Sequence, residues 1–329
     1  MSTATGLVLT LAGAVVIVAV LRDAFEALFH PDGRMVLSRS VMRAYWALFH
    51  RVGRERPRLF ALAGPAMLLT ILMSWAVLLA LGWALVLWPH VPGGFRFAAV
   101  LGPAAGQQGF VDALYMSLVT LGTIGYGDIS PATDLLRLLV PLEALVGFAL
   151  LTASVSWLLT VYPALSRRRS LAYEITLLRE VTGRSGRAQF VREQAGSAER
   201  LFAELLSRLV AVERDLVQIP VSYYFTQGDD RFSLPSVMPW LLGMAEQGLA
   251  PDVPAPTRLR AEMLCAAIDD FARTTAERFH GGESAPTAEL LERYAQDHLR
   301  DAAMSPDGSD RGSRSPGLLS LTGSGSRRR

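Results

Sequence analysis

The chain has 329 residues, half of them hydrophobic, with a net charge of +2 and one cysteine, Cys265. A single thiol excludes an intrachain disulfide framework, and the small net charge averages a basic segment against a mixed-charge tail, so it points to no particular partner; a nucleic-acid partner is not expected. All 32 basic residues are arginine, and the apolar residues crowd into the first half of the chain, so distribution is more informative than totals.

Thr5–Leu21 is uncharged and close to the lower length limit for a membrane span. No basic residue precedes this run, and no small-x-small site follows it before Arg22, Asp23 and Glu26, as a cleaved signal peptide would require. Residues 1–29 therefore read as a retained transmembrane helix. Residues 30–58 form a basic linker, with seven arginines against Asp32 and Glu55. Within it, Val36–His50 sets Arg39 and Arg43 four apart among apolar and aromatic residues, a pattern that suits an interfacial helix touching anionic lipid; a plain solvated connector fits equally well.

From Leu59 to Trp88, thirty consecutive residues include no Asp, Glu, Lys or Arg. A helix of that length spans about 45 Å against a hydrocarbon core of about 30 Å, so 59–88 reads as an outer membrane helix. Pro89, Pro92, Gly93 and Gly94 end it. At Phe110 begins "FVDALYMSLVTLG", a helical pattern over 110–122 that is too short to cross, with Asp112 suited to the positive end of the helix dipole. The last apolar run, Leu138–Ser166, contains one ionisable acid, Glu143, and 134–162 reads as an inner membrane helix. The arginine-rich 30–58 and Arg167–Arg169, set against Arg96 alone in 89–133, place the N-terminus outside and the C-terminus in the cytoplasm of a multi-pass plasma-membrane protein.

A half-helix that dips in, followed by non-helical backbone that returns, is tolerated at membrane depth only inside protein or along a watery cavity. The residues after the half-helix, Thr123-Ile124-Gly125-Tyr126-Gly127-Asp128, resemble the selectivity filter of the potassium-channel pore-loop family, in the bacterial two-span pore form with an extra N-terminal helix. The resemblance covers about 59–165, a third of the chain. It implies that backbone carbonyls at Thr123, Ile124, Gly125 and Tyr126, with the Thr123 hydroxyl, replace the hydration shell of K⁺ as the permeant ion, with no cofactor. Gly125 and Gly127 supply the left-handed backbone that aims successive carbonyls the same way. By the same resemblance, Tyr126 points off the axis and braces the filter. Asp128 is a hydrogen-bonding strut behind it, Thr123 closes its inner end, Thr120 supports it, and Tyr115 packs around it; a lipid-interface position for Tyr115 stays open. Ile124 and Gly122 stand where many members have Val and Thr, and Val119 where some carry a carboxylate.

Gly147 lies where family members bend their inner helix, so it reads as a gating hinge or a close-packing site. One face stepping from it gives Phe148, Leu151, Val155 and Leu159 as pore and gate linings. Glu143, an acid within the membrane, is functional by default; it reads as filter support from behind the pore helix, through Ser117 or Thr120. One pore loop encloses nothing alone, and the resemblance implies a homotetramer in the bilayer. The first helix, with Arg22 as its only base, lacks the ladder of a voltage sensor.

Beyond the last span, 170–181, 196–217, 257–280 and 287–300 read as helices, and 219–249, with three prolines, as short or irregular elements. These make 166–300 a small α-helical cytoplasmic domain, followed by a Gly/Ser/Arg-rich tail, 301–329, read as disordered. Arg167, Arg168 and Arg169 are candidate lipid-phosphate ligands. There is no dinucleotide fingerprint, no metal spacing among His280, His298 and Cys265, and no nucleophile–base arrangement, so the chain does not read as an enzyme. The expected fold class is an all-α membrane protein: three transmembrane helices, a re-entrant pore helix with its filter, and the helical domain. Its expected function is passive K⁺ conduction. A nonselective cation channel of the same build, a K⁺ transporter subunit and a membrane-anchored enzyme or sensor are the alternatives.

Overall fold

A computed structural model describes residues 2–29, 38, 40–46, 63–98, 109–183, 191, 195–226, 229–282 and 284–298. Expectations for most of the basic linker, including Arg39, for the first residues of the outer helix and for the tail 301–329 lie outside those residues. Among the described residues, three helices are long and apolar enough to cross a membrane. These are α1 (Thr3–Phe29), α2 (Ala63–Leu87) and α4 (Asp134–Thr182). Between α2 and α4 come β1 (Phe95–Phe97), the short helix α3 (Phe110–Leu121) and β2 (Ile129–Pro131).

Glycine brings α1 and α2 together. A Cβ on Gly13 would lie 2.5 Å from the carbonyl oxygen of Gly82, and one on Gly82 only 3.2 Å from that of Gly13. Two glycines facing each other let membrane helices approach backbone to backbone, the main source of packing energy where burial from water contributes nothing. The opposite face of α1 exposes Leu7, Leu11, Val15 and Val18, as a lipid-facing surface requires. At the far end, Asp23 is buried and accepts from the Ser38 amide (3.1 Å), the Ser38 hydroxyl (2.5 Å) and the Trp75 indole (3.0 Å). One carboxylate thus ties α1, the start of the helical turn at 40–46, and α2.

A two-stranded ribbon, which the sequence reading did not foresee, pairs β1 antiparallel to β2 with Arg96 opposite Ser130. It anchors the chain leaving α3 to the loop that leaves α2. The inner helix does not end at residue 162: α4 runs 49 residues without interruption, through Pro141 and Pro163. Each proline removes one i→i−4 bond, but the flanking Val161, Ala164 and Leu165 are buried in the core, and packing carries the helix past the gap. The separate helix expected at 170–181 is therefore the last part of α4, about three turns of it.

The C-terminal module comprises α5 (Ala195–Gln218), α6 (Leu234–Gln247), α7 (Ala255–Phe279) and α8 (Thr287–Asp297), with 3₁₀ turns at Pro220–Tyr224 and Asp230–Phe232. In α5 the buried Phe202, Leu205, Leu209, Val212 and Leu216 recur at helical spacing and pack on α7. The segment 219–249, read as irregular, contains a full helix, α6. Pro235 falls in its first turn, where the missing N–H costs nothing, so it starts the helix instead of breaking it.

Candidate functional site

The half-helix α3 packs on α2 and α4 and delivers the chain to Thr123. From there the backbone alternates: φ is +54° at Thr123, +61° at Gly125 and +76° at Gly127, with Ile124 and Tyr126 between them outside the left-handed region. Alternation of this kind turns successive peptide carbonyls toward one side. Glycine takes positive φ without strain. Thr123, being β-branched, does not, and holds about 1–3 kcal/mol of local strain that the surroundings must impose. Two amides of the segment are tied back to α3: Thr123 donates to the Thr120 carbonyl (3.0 Å) and Ile124 to that of Val119 (2.9 Å). A Cβ on Gly125 or Gly127 would meet nothing within 4 Å. Ile124 and Tyr126 are 55% and 68% exposed in the single chain.

Three groups fix this strand from behind. The Tyr115 hydroxyl donates to one Asp128 oxygen (2.6 Å) and the Ile129 amide to the other (3.0 Å). The Asp128 carbonyl in turn accepts from Ala98 (2.8 Å), continuing the β1–β2 ribbon. Tyr115 on α3 thus serves Asp128, with the buried Val119 as apolar packing. On the other side of α3, Ser117 donates to Glu143 of α4 (2.5 Å), and both are fully buried. Of the two donors proposed for Glu143 the structure brings Ser117 to it; its second oxygen has no partner among the described residues. One turn further, a Cβ on Gly147 would sit 2.3 Å from the Leu121 carbonyl. Gly147 is therefore where the end of α3 rests on the backbone of α4. Phe148, Leu151, Val155 and Leu159 are each more than half exposed along α4.

The arginine triplet takes a different place from the one its sequence suggests. Arg167 forms a two-pronged pair with Asp215 of α5 (2.6 and 2.8 Å). Arg168 is buried and donates to the carbonyls of Ser222 (2.6 Å) and Phe225. Arg168 is covered where the module folds back onto α4 and is not available to lipid phosphate; Arg167, although paired with Asp215, remains exposed, as do Arg169 and Arg43. Phe225 also closes on α2: a Cβ on Gly64 would lie 2.5 Å from its ring. Sequence reasoning missed Phe225, Gly64 and Tyr223, since no local motif marks a segment whose importance comes from five elements meeting on it.

Comparison with known proteins agrees with this geometry over the central third. A family model described as an ion channel matches residues 69–162. The chain is 38% identical over 99 residues to two pore potassium channel c of Oryza sativa subsp. japonica, covering 29% of this chain and 20% of that one. It is 25% identical over 154 residues to the uncharacterized membrane protein YdjJ of Bacillus subtilis (strain 168), covering 47% of this chain and 44% of that one. The matches span less than half the length of either relative. No solved structure matches. Fold, pore loop and family match define a multi-pass membrane protein with an ion-channel pore domain. Over this stretch the chain is similar to ion-channel and potassium-channel proteins.

Proposed function

We propose that the protein is a potassium-selective channel in which four copies surround one pore, each contributing a Thr123–Gly127 filter strand. The observation that carries this reading is the alternation of left-handed backbone at Thr123, Gly125 and Gly127, at the end of a half-helix braced from behind by Asp128 and Glu143. Carbonyls of Thr123, Ile124, Gly125 and Tyr126 then coordinate dehydrated K⁺. A homotetramer is supported by what one chain leaves open: the filter strand itself, the Tyr126 ring, and apolar faces of α4 from Leu135 to Leu159, an area of apolar surface a monomer would not retain without lipid or copies to cover it. In the tetramer Tyr126 braces against a neighbouring pore helix. Phe148, Leu151, Val155 and Leu159 line the cavity below the filter and its gate. Gly147 serves α3–α4 packing, with bending there secondary. The arginine distribution orients the N-terminus outside and residues after 165 inside, so the C-terminal module hangs below the gate, joined to it by the unbroken α4, and conduction is passive.

The test is K⁺ against Na⁺ flux into liposomes containing the purified full chain, beside the Tyr126→Asp variant. The expected result is K⁺ flux far above Na⁺ flux, with the preference lost in the variant. Equal fluxes in the unmodified protein would replace this reading with a nonselective cation pore.

A further inference from the structure

Outside the pore, the described residues hold a largely buried cluster of titratable side chains, centred on the buried His298 at the end of α8. Its two ring nitrogens both face backbone carbonyls: Nδ1 lies 3.0 Å from the Tyr294 oxygen and Nε2 2.9 Å from the Tyr223 oxygen. A neutral imidazole carries one N–H, so it bonds one of these carbonyls and turns a lone pair toward the other; only the imidazolium could bond both. The ring is also packed among aromatic faces, with Tyr223 and Tyr294 centroids at 4.7 and 4.8 Å and Trp46 at 5.6 Å.

The charges around it come from every packed element. Asp297, its neighbour on α8, accepts from the Trp46 indole of the 40–46 turn (3.2 Å) and from the Tyr223 hydroxyl of the 3₁₀ turn, with His280 from the end of α7 at 3.6 Å. Arg168 of α4 lines the same small cavity as His298, beside Thr226 and Ser233. Burial and the Arg168 charge oppose a proton on His298, while Asp297 and the two carbonyls favour one. Burial wins and lowers the imidazole to about 4. The docked ring is therefore neutral near pH 7.

We propose that His298 is a proton-binding site that works as a latch: the docked, neutral ring holds α8 and the 220–226 segment together, and a proton captured by the undocked ring releases them. The release has a direct route to the membrane. The same segment that accepts from His298 through Tyr223 is gripped by Arg168 on α4 through Ser222 and Phe225, and rests on Gly64 of α2 through Phe225. Undocking α8 frees one side of a bridge that joins the two pore helices. That this alters conduction rests on the channel reading above; the latch itself does not.

An undocked imidazole takes up its proton near 6.5, whereas the docked one does so only near about 4. Docking is therefore strongest above the free value, weakens as pH falls from there to the docked value, and changes no further below it. Between about pH 7 and about pH 5.5 the opening equilibrium of α8 rises about eightfold.

The experiment is hydrogen–deuterium exchange of the 287–298 peptides in the full chain in lipid nanodiscs. It is run across that pH range with correction for intrinsic exchange, on the unmodified protein, His298→Gln and His280→Gln. The expected result is an eightfold loss of protection in the unmodified protein, retained in His280→Gln and absent in His298→Gln. Unchanged protection in the unmodified protein, or the same loss in His298→Gln, would overturn the proposal. ¹⁵N NMR of the unmodified His298 ring provides a second reading that does not depend on α8 docking in His298→Gln. A midpoint well below the free value supports the latch, and one at the free value refutes it. Neither readout requires ion flux, so failure of the latch and failure of the channel reading are separable.

Discussion

Gly125 illustrates how one residue can matter to conduction and little to folding. Its φ of +61° favours glycine, yet an added Cβ would meet nothing. Gly125→Ala therefore costs only the backbone term, about 1–2 kcal/mol, and the preference of K⁺ over Na⁺ is lost in a chain that still folds, as flux and thermal melting measured together would show. Gly147 is the opposite case. Its hydrogen faces the Leu121 backbone, which cannot swing aside as a side chain would, so Gly147→Ala lowers the melting midpoint, at a cost of about 1–3 kcal/mol. A Gly147 that acted purely as a hinge would leave that midpoint unchanged. Ser117 is the donor to Glu143 in a site closed to water. Ser117→Ala leaves the carboxyl without any partner and destabilises the protein by about 1–3 kcal/mol; a melt indistinguishable from the unmodified protein would show that Glu143 finds another donor.

At the scale of elements, the α1–α2 pair is held by close backbone approach at one end and by Asp23 at the other. Gly13→Leu must push α1 off Gly82, since the contact is with a carbonyl oxygen. It is expected to lower the melting midpoint, whereas Leu11→Ala on the exposed face of the same helix leaves it unchanged. Proteolysis within 3–29 would reveal whether α1 is the part that detaches. The filter strand is likewise an element held from two sides, by α3 through Tyr115 and by the ribbon through Ala98. Tyr115→Phe removes one of these and keeps the ring. Selectivity that survives in Tyr115→Phe would mean that the ribbon and α3 backbone bonds suffice.

At the scale of the whole molecule, the 220–226 segment connects parts far apart in the chain. Arg168 reaches carbonyls 54 and 57 residues away, and Arg168→Met, which keeps much of the volume, should expose 219–226 to protease while leaving the pore domain folded. Acid should act in two separate windows. Burial works against ionisation of Asp297, but His280, His298, Tyr223 and Trp46 together hold its carboxyl below the ordinary range. Its contribution is therefore present above about 3.8 and is lost as pH falls below that value. The His298 contribution is lost earlier, as pH falls from about 6.5. Melting of the module against pH should show both steps, with Asp297→Asn removing the lower one and, because its charge favours the proton on His298, enlarging the upper one.

The spans, and the half-helix followed by backbone of alternating positive φ, were legible from the sequence because hydropathy, chain length and the need for positive φ are local properties. Thirty uncharged residues cross a bilayer whatever they pack against, and Thr123–Asp128 has its own backbone demands. Tyr115 and Ser117 were within reach for the same reason, lying on a half-helix whose neighbours the motif supplies. The tertiary structure alone decided the length of α4, where packing overrides Pro163, and the helix begun at Pro235. It also decided that Arg168 grips backbone carbonyls of its own chain, that Arg167 pairs with Asp215, and that Gly147 lies against the Leu121 backbone. Each of these depends on which distant segment arrives alongside, and burial of a guanidinium by carbonyls more than fifty residues away leaves no mark in the residues around it.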